Sequence, residues 1–257
     1  MGQQIDPRDE SSKESRSGQL TRREAIKLGG MAALGATFLP TLFLTACDDL
    51  NIPVVRSGQG GGTNSFPALP SSCVLTPEET EGPFYVDVNL LRSNVVESQQ
   101  GFPLNLEIVV VDATTCAPIS GKAVEIWHAN ASGVYSDIGA EGTTGQTFLR
   151  GALTTDSSGT VTFQTVYPGW YQGRTTHIHF KVHLGANQVV TSQLYFDDAL
   201  NDQIYQKAPY NQHTGTRTPN ADDSVREQDP DPNDELFLKT NVASDAVYAA
   251  IRVGVTQ

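Results

Sequence analysis

From residue 104 onward, runs rich in β-branched and aromatic residues recur at lengths suited to single strands. Such residues are enriched in strands because their side chains pack well on a pleated surface. Turn-forming clusters such as Ser157-Ser158-Gly159 and Pro168-Gly169 lie between them, an order typical of antiparallel sheets. The predicted strands are 104–111 (LNLEIVVV), 123–127 (AVEIW), 160–165 (TVTFQT), 177–182 (HIHFKV) and 189–196 (VVTSQLYF).

Helix signals are scarce in the same part of the chain. Residues 197–207 (DDALNDQIYQK) could form one short helix with acidic residues in its first turn. Residues 222–235 contain seven acidic residues and two prolines, which predicts a solvated loop. The sequence therefore predicts an all-β fold, an antiparallel β-sandwich with long loops and at most one or two short helices.

The beginning of the chain is typical of an exported protein. Residues 28–46 are uncharged, largely apolar and follow a basic segment, as in a signal peptide. Residues 21–27 (TRREAIK) resemble a twin-arginine export signal. Residues 44–47 (LTAC) resemble a bacterial lipobox, in which Cys47 becomes the lipidated first residue of the mature protein. An uncleaved membrane anchor is the alternative, since the apolar stretch is long enough to span a bilayer.

These features divide the chain into a signal peptide (1–46), a lipidated Cys47 with a flexible linker rich in Gly, Ser and Pro (47–72), and one domain (73–257). Because basic flanks stay inside, the domain is expected outside the cytoplasm. It would be held by lipid at the outer side of the cytoplasmic membrane, or lie in the periplasm or cell envelope.

Charge and cysteine usage fit an exported location. The formal net charge of -12 argues against electrostatic binding of nucleic acid. If Cys47 carries lipid, Cys73 and Cys116 remain as a pair in an oxidising compartment, where disulfides persist. Two unlinked buried thiols are the alternative.

The predicted strand 177–182 carries the pattern His-x-His. Side chains alternate across a strand, so His177 and His179 share one face while Ile178, Phe180 and Val182 share the other. The apolar face can enter a core while the histidine face lines a cleft. Two histidines at this spacing can chelate a metal ion, although the pair alone is equally compatible with a structural role.

Several motifs around this pair resemble, in order and spacing, the intradiol ring-cleavage dioxygenases, a family that includes catechol and protocatechuate dioxygenases. The resemblance covers nearly all of residues 73–220 and implies a β-sandwich. The motifs are 76–85 (TPEETEGPFY), 127–135 (WHANASGVY), 167–171 (YPGWY), 174–179 (RTTHIH) and 193–196 (QLYF).

The resemblance implies a ferric iron centre held by four side chains. Its expected ligands are Tyr135, Tyr167, His177 and His179. Phenolates are hard anionic donors and imidazole also suits iron. A free tyrosine has a pKa of about 10, so a strongly charged cation is needed to hold two of them deprotonated. Two phenolates and a hydroxide balance the charge of Fe(III), the expected cofactor.

The implied reaction is ring cleavage of a catechol-type diol with dioxygen, giving a muconate-type diacid. Tyr167 is expected to be released and to accept a substrate proton, Arg174 to stabilise negative charge, and Gln193 to support Arg174 by a hydrogen bond. The expected walls of the substrate site are Gly82, Pro83 and Trp170. His128 and His183 have no role in the motifs and are expected to be satisfied or exposed histidines.

Two other functions fit part of the sequence. Residues 121–125, 155–159 and 166–171 also resemble the turn and strand pattern of transthyretin-like modules, so a non-catalytic binding module at the cell surface is the main alternative. Another kind of metal enzyme is the second alternative. The sequence predicts neither the oligomeric state nor the natural catechol.

Overall fold

The computed structural model describes residues 64–186, 188–228, 231 and 233–256. The predicted signal peptide, Cys47 and the linker up to residue 63 lie outside the described residues. Residues 64–72, the end of the predicted linker, contact the domain: Asn241 Nδ2 donates to Ser65 O at 3.0 Å, and the rings of Phe66 and Tyr248 meet edge to face at 5.7 Å. The end of the linker is therefore attached to the domain.

Two four-stranded sheets make up the described domain. The strands are β1 (Pro103–Asp112), β2 (Ala123–Trp127), β3 (Arg150–Thr154), β4 (Thr160–Val166), β5 (His177–Gly185), β6 (Gln188–Tyr195), β7 (Lys239–Val242) and β8 (Val247–Val255). The strand orders are β4-β1-β8-β7 in the first sheet and β3-β2-β5-β6 in the second. The α-helices among the described residues are α1 (Asp198–Tyr205) and α2 (Ser224–Gln228), neither of which is long and apolar enough to cross a membrane.

The predicted all-β sandwich is confirmed, with some differences in detail. All five predicted strands are present as β1, β2, β4, β5 and β6, and the predicted helix is α1. Strands β3, β7 and β8 were not predicted. Strand β8 pairs with β1 in parallel, so the first sheet is mixed rather than purely antiparallel. Residues 222–235 are not simply a solvated loop, because they include α2 and the buried side chains of Asp223 and Asp231.

One apolar core lies between the sheets. Alternate residues of β1 point into it, and alternate residues of β5 do the same from the second sheet. Each such side chain contributes roughly 1.5–3 kcal/mol by leaving water. The shared members include Leu104, Leu106, Ile108, Val110, Ile178, Phe180 and Val182. The opposite face of β5 is therefore left for His177 and His179, as the alternation predicted.

The predicted pairing of Cys73 with Cys116 is confirmed, with their Cα atoms 5.4 Å apart. The disulfide ties the start of the domain to the turn that follows β1. Nearby, Thr76 N donates to Gly254 O at 2.9 Å, so β8 holds the same segment. The chain then continues across β6, where Glu79 N donates to Thr191 O at 3.0 Å. This route brings residues 79–85 over the histidine face of the second sheet.

Candidate metal centre

The outer face of the second sheet positions most of the candidate residues. His179 on β5 pairs with Trp127 on β2 and with Gln193 on β6. Arg150 on β3 pairs with Trp127. These four residues therefore form one row across four strands, and all are almost fully buried because loops cover this face.

Four side chains converge at this face. Tyr135 Oη lies 3.3 Å from His177 Nε2, and Tyr171 Oη lies 3.2 Å from the same nitrogen. The Nε2 atoms of His177 and His179 are 3.1 Å apart. Tyr135 comes from the loop after β2 and Tyr171 from the loop before β5, so sheet and loops each supply two donors.

Tyr167 lies elsewhere, and its predicted role as a ligand disagrees with the structure. It is fully buried in the core between the sheets, where Tyr167 Oη donates to Asn201 Oδ1 at 2.7 Å. Its ring packs against Phe196 at 4.5 Å. The structure instead places Tyr171 beside the two histidines. The physical reason is strand alternation: Tyr167 continues the face of β4 that carries Val161 and Phe163 into the core.

The two imidazoles are prepared to act as ligands. His177 Nδ1 donates to Thr175 O at 2.7 Å, which leaves the lone pair on Nε2, at the point of convergence. Burial, followed by the charge of Arg174, lowers the pKa of His177 to about 3. Burial and the neighbouring His177 lower the pKa of His179 well below its ordinary value. Both rings are therefore neutral at physiological pH, as metal binding requires.

The two phenols are neutral unless a cation compensates them. Burial, with a further contribution from Tyr171, raises the pKa of Tyr135 well above its ordinary value. Burial also raises the pKa of Tyr171, against the lowering effect of Arg174. One lone pair on His177 Nε2 cannot accept from all its neighbours at once, whereas a cation bound between the four side chains would satisfy them together. Among the described residues, no cluster of three or more His, Cys, Asp or Glu offers a competing site.

Arg174 and Gln193 are in contact, as predicted. Arg174 Nη2 donates to Gln193 Oε1 at 2.6 Å, and Gln193 Nε2 donates to Thr80 O at 3.2 Å. Asp223 is a third member of this group and was not predicted from the sequence. Its Oδ2 accepts from Arg174 Nε at 2.9 Å and from Thr175 N at 2.7 Å. Asp223 therefore joins the residues just before α2 to the segment that carries His177.

The predicted wall residues have different surroundings. Gly82 has a positive φ of 70°, and a Cβ atom there would lie 3.4 Å from His179 Cε1, so its backbone is next to the centre. Pro83 is exposed, and the following Phe84 stacks on Tyr135 at 4.7 Å. The ring of Trp170 stacks on His213 at 4.1 Å. Phe84 is thus the aromatic residue of the 76–85 motif that packs on Tyr135, a role that was not predicted from the sequence.

His128 is a satisfied buried histidine, as predicted. Its Nδ1 lies 2.9 Å from Ala129 O and its Nε2 lies 2.7 Å from Thr165 Oγ1. His183 is partly exposed, and its Nε2 lies 3.4 Å from Glu125 Oε2. Neither histidine belongs to the four-residue cluster.

The similar proteins that comparison finds are dioxygenases. A protein-family model described as Dioxygenase matches residues 80–228. The solved structure of an intradiol ring-cleavage dioxygenase from Tetranychus urticae is 33% identical, covers 72% of this chain and 95% of its own, and superimposes with a TM-score of 0.68.

Curated relatives are more distant. Catechol 1,2-dioxygenase 1 of Acinetobacter lwoffii is 28% identical over 140 residues, which are 46% of this chain and 45% of that protein. Catechol 1,2-dioxygenase of Candida albicans is 29% identical over 150 residues, 48% of this chain and 49% of that protein. The chain spans about half the length of the curated relatives it matches. The match over the whole described centre, together with the sandwich that presents it, shows that the chain belongs to the intradiol ring-cleavage dioxygenase family.

Proposed function

We propose that the chain is an Fe(III)-dependent enzyme that cleaves the ring of a catechol-type diol with dioxygen, between the two oxygenated carbons, and forms a muconate-type diacid. The observation that carries the proposal is the convergence of two phenol oxygens and two imidazole nitrogens. The Oη atoms of Tyr135 and Tyr171 and the Nε2 atom of His179 all lie within 3.3 Å of His177 Nε2. The catechol named for the relatives from Acinetobacter lwoffii and Candida albicans supports the substrate class.

The iron would be held by Tyr135, Tyr171, His177 and His179. Two phenolates and two neutral imidazoles suit a hard ion of high charge, because such an ion stabilises buried phenolates that are otherwise protonated. When bound, Fe(III) would draw electron density from the catecholate and so make the ring reactive towards dioxygen. The protein's contribution is to orient the diol, exclude water and accept its protons.

Tyr171 is the better candidate for the proton acceptor. Tyr135 is 1% exposed and Phe84 stacks on its ring, whereas Tyr171 is partly exposed. Its Oη would accept one proton of the diol. Burial raises the pKa of Tyr171, and the nearby Arg174 opposes that rise, which lowers the cost of forming the phenolate. The role first expected of Tyr167 thus passes to Tyr171.

Arg174 would stabilise negative charge as it develops on the substrate. Asp223 and Gln193 fix two sides of its guanidinium group, so no reorganisation is needed during the reaction. Burial opposes the charge of Arg174, but Tyr171 and Asp223 outweigh it and raise its pKa above the ordinary value. The group is therefore cationic at any pH at which the enzyme would work.

A matched pair of variants tests the proposal. Tyr171→Phe removes a candidate ligand and should shift the visible tyrosinate band and lower turnover by about 10²- to 10⁴-fold, the range for loss of a positioned proton acceptor. Tyr167→Phe removes only a hydrogen bond to Asn201 in the core and should keep wild-type colour, iron content and oxygen uptake.

The measurements are iron content, the visible spectrum before and after adding catechol, and oxygen consumption. Wild-type protein that is colourless when purified in air with iron would support the alternative of a non-catalytic binding module. The reverse ranking of the two variants would show that Tyr167, not Tyr171, is the ligand.

We also propose that the domain acts outside the cytoplasm, anchored by lipid at Cys47. The twin-arginine-like and lipobox-like segments support this location. The disulfide between Cys73 and Cys116 supports it independently, since disulfides persist mainly in oxidising compartments.

A further inference from the structure

The two candidate histidine ligands are held in place by different means. His177 is oriented by the hydrogen bond from its Nδ1 to Thr175 O at 2.7 Å. Such a bond to the non-ligating nitrogen is the usual device for fixing a metal-binding imidazole. His179 lacks it: among the described residues, no hydrogen-bond partner is present for its buried Nδ1. Another contact must therefore set the plane of the His179 ring.

Trp127 makes that contact. Its indole ring stacks on the imidazole of His179 with the centroids 4.8 Å apart and the planes within 5° of parallel. The two residues are direct partners across β2 and β5, so the sheet itself fixes their separation. Trp127 is 2% exposed and His179 1% exposed, which leaves neither ring room to turn.

Other side chains pack against Trp127 in turn. Tyr85 packs against the indole at a centroid distance of 5.0 Å and an angle of 63°. Lys181 Nζ lies 3.2 Å from the centre of the Tyr85 ring and pairs with Glu81. On the side of Gly82, the absence of a Cβ lets the backbone approach the edge of the imidazole. These contacts form a continuous series of packed side chains from Glu81 at the surface to His179.

We propose that Trp127 is a positioning residue for the metal centre and sets the plane of His179 by stacking, in place of the missing hydrogen bond. This inference rests on the proposed function, because it assumes that His179 binds iron. A stacked ring fixes the plane but leaves Nδ1 free of a fixed acceptor, so loss of the ring should loosen His179 and leave His177 in place.

The test compares variants with and without a flat ring at position 127. Trp127→Leu and Trp127→Met keep an apolar side chain but lose the stacking surface, whereas Trp127→Phe keeps a smaller aromatic plane. The rate of iron release to a chelator, followed by the visible tyrosinate band, should rise about 10- to 100-fold in the Leu and Met variants, the usual cost of removing a residue that orients a ligand. The Phe variant should recover most of the wild-type retention.

Phe163→Leu is the matched control, because Phe163 is a fully buried ring of β4 in the other sheet. It should lower the unfolding temperature without changing the rate of iron release. Circular dichroism establishes folding of each variant, and the Met variant serves if the Leu variant does not fold. Wild-type iron release by a folded Leu or Met variant, or equal release by the Phe and Leu variants, would overturn the role of Trp127. A wild-type protein that binds no iron would instead contradict the proposed function.

Discussion

Asp223→Asn should destabilise the domain by breaking the ion pair between Asp223 and Arg174. Asp223 Oδ2 accepts from Arg174 Nε and Thr175 N, and its Oδ1 accepts from Val225 N at 2.9 Å. The Asp223 side chain is fully buried and that of Arg174 is 14% exposed. Asparagine has nearly the same shape but no charge, so it leaves the guanidinium group buried without its counter-charge. Each oxygen of Asp223 accepts from two N–H groups, so the amide nitrogen that replaces one oxygen leaves two N–H groups without an acceptor.

The size of the effect follows from this burial. Removing one partner of a buried ion pair costs about 3–5 kcal/mol, because the remaining charge is uncompensated. We therefore expect Asp223→Asn to lower the free energy of unfolding by about that amount at pH 7. Oxygen uptake should fall as well, since Arg174 and the segment that leads to His177 lose a common anchor.

The loss of stability caused by Asp223→Asn should become smaller as the pH falls. Burial disfavours the charge of Asp223, but Arg174 and the Thr175 N–H group overcome it and hold the pKa of Asp223 below its ordinary value. A depressed pKa stabilises the folded state above the unfolded pKa of about 3.9, and this contribution disappears as the pH falls through the folded pKa. The difference between wild type and variant should thus be complete at pH 7 and shrink below about pH 4.

Urea unfolding of wild type and variant at pH 7 and below about pH 4 measures this difference in the free energy of unfolding. Asp222→Asn is the matched control, because Asp222 is the exposed neighbour in the same short turn and should change stability by no more than about 0.5 kcal/mol. Equal stability of Asp223→Asn and Asp222→Asn at pH 7 would refute the anchoring of Arg174 by this ion pair.

Two further predictions concern substrate and location. The net charge of -12 should disfavour catechols that carry a carboxylate, so the specificity constant for catechol should exceed that for protocatechuate. The difference between the two constants should narrow at high salt, and a preference for protocatechuate at low salt would contradict the prediction. If Cys47 carries the lipid anchor, Cys47→Ser should move the exported protein from the membrane fraction to the soluble fraction, and equal membrane association of both forms would favour an uncleaved anchor.

The strands that were predicted are those whose composition is unambiguous. β1 is rich in Val, Ile and Leu, and β5 alternates His with Ile, Phe and Val, so both fit a pleated surface. β8 (VYAAIRVGV) was missed because Ala and Gly dilute the same signal. It is a strand because it lies between two others: β1 pairs with it on one side and β7 on the other. That environment depends on residues far away in the chain.

The candidate centre was predicted only in part for a related reason. The alternation in β5 is enough to place His177 and His179 on one face. The same alternation, continued from Val161 and Phe163 to Tyr167, indicates the core and could have excluded Tyr167 as a ligand. Asp223 was hidden in an acidic run, and nothing local distinguishes it from its exposed neighbours.

The parallel pairing of β1 with β8 has a consequence for how the domain folds. Leu104 pairs with Val247 and Asp112 with Val255, so the centre of the first sheet joins positions separated by most of the domain. The second sheet, which presents the histidines, is built from the intervening residues with shorter connections. Because closing long loops costs entropy before any contact repays it, such topologies fold slowly. Until β8 docks, one edge of β1 is unpaired and the core lacks the apolar side chains of β8, which makes this period the one in which the chain is most prone to aggregate.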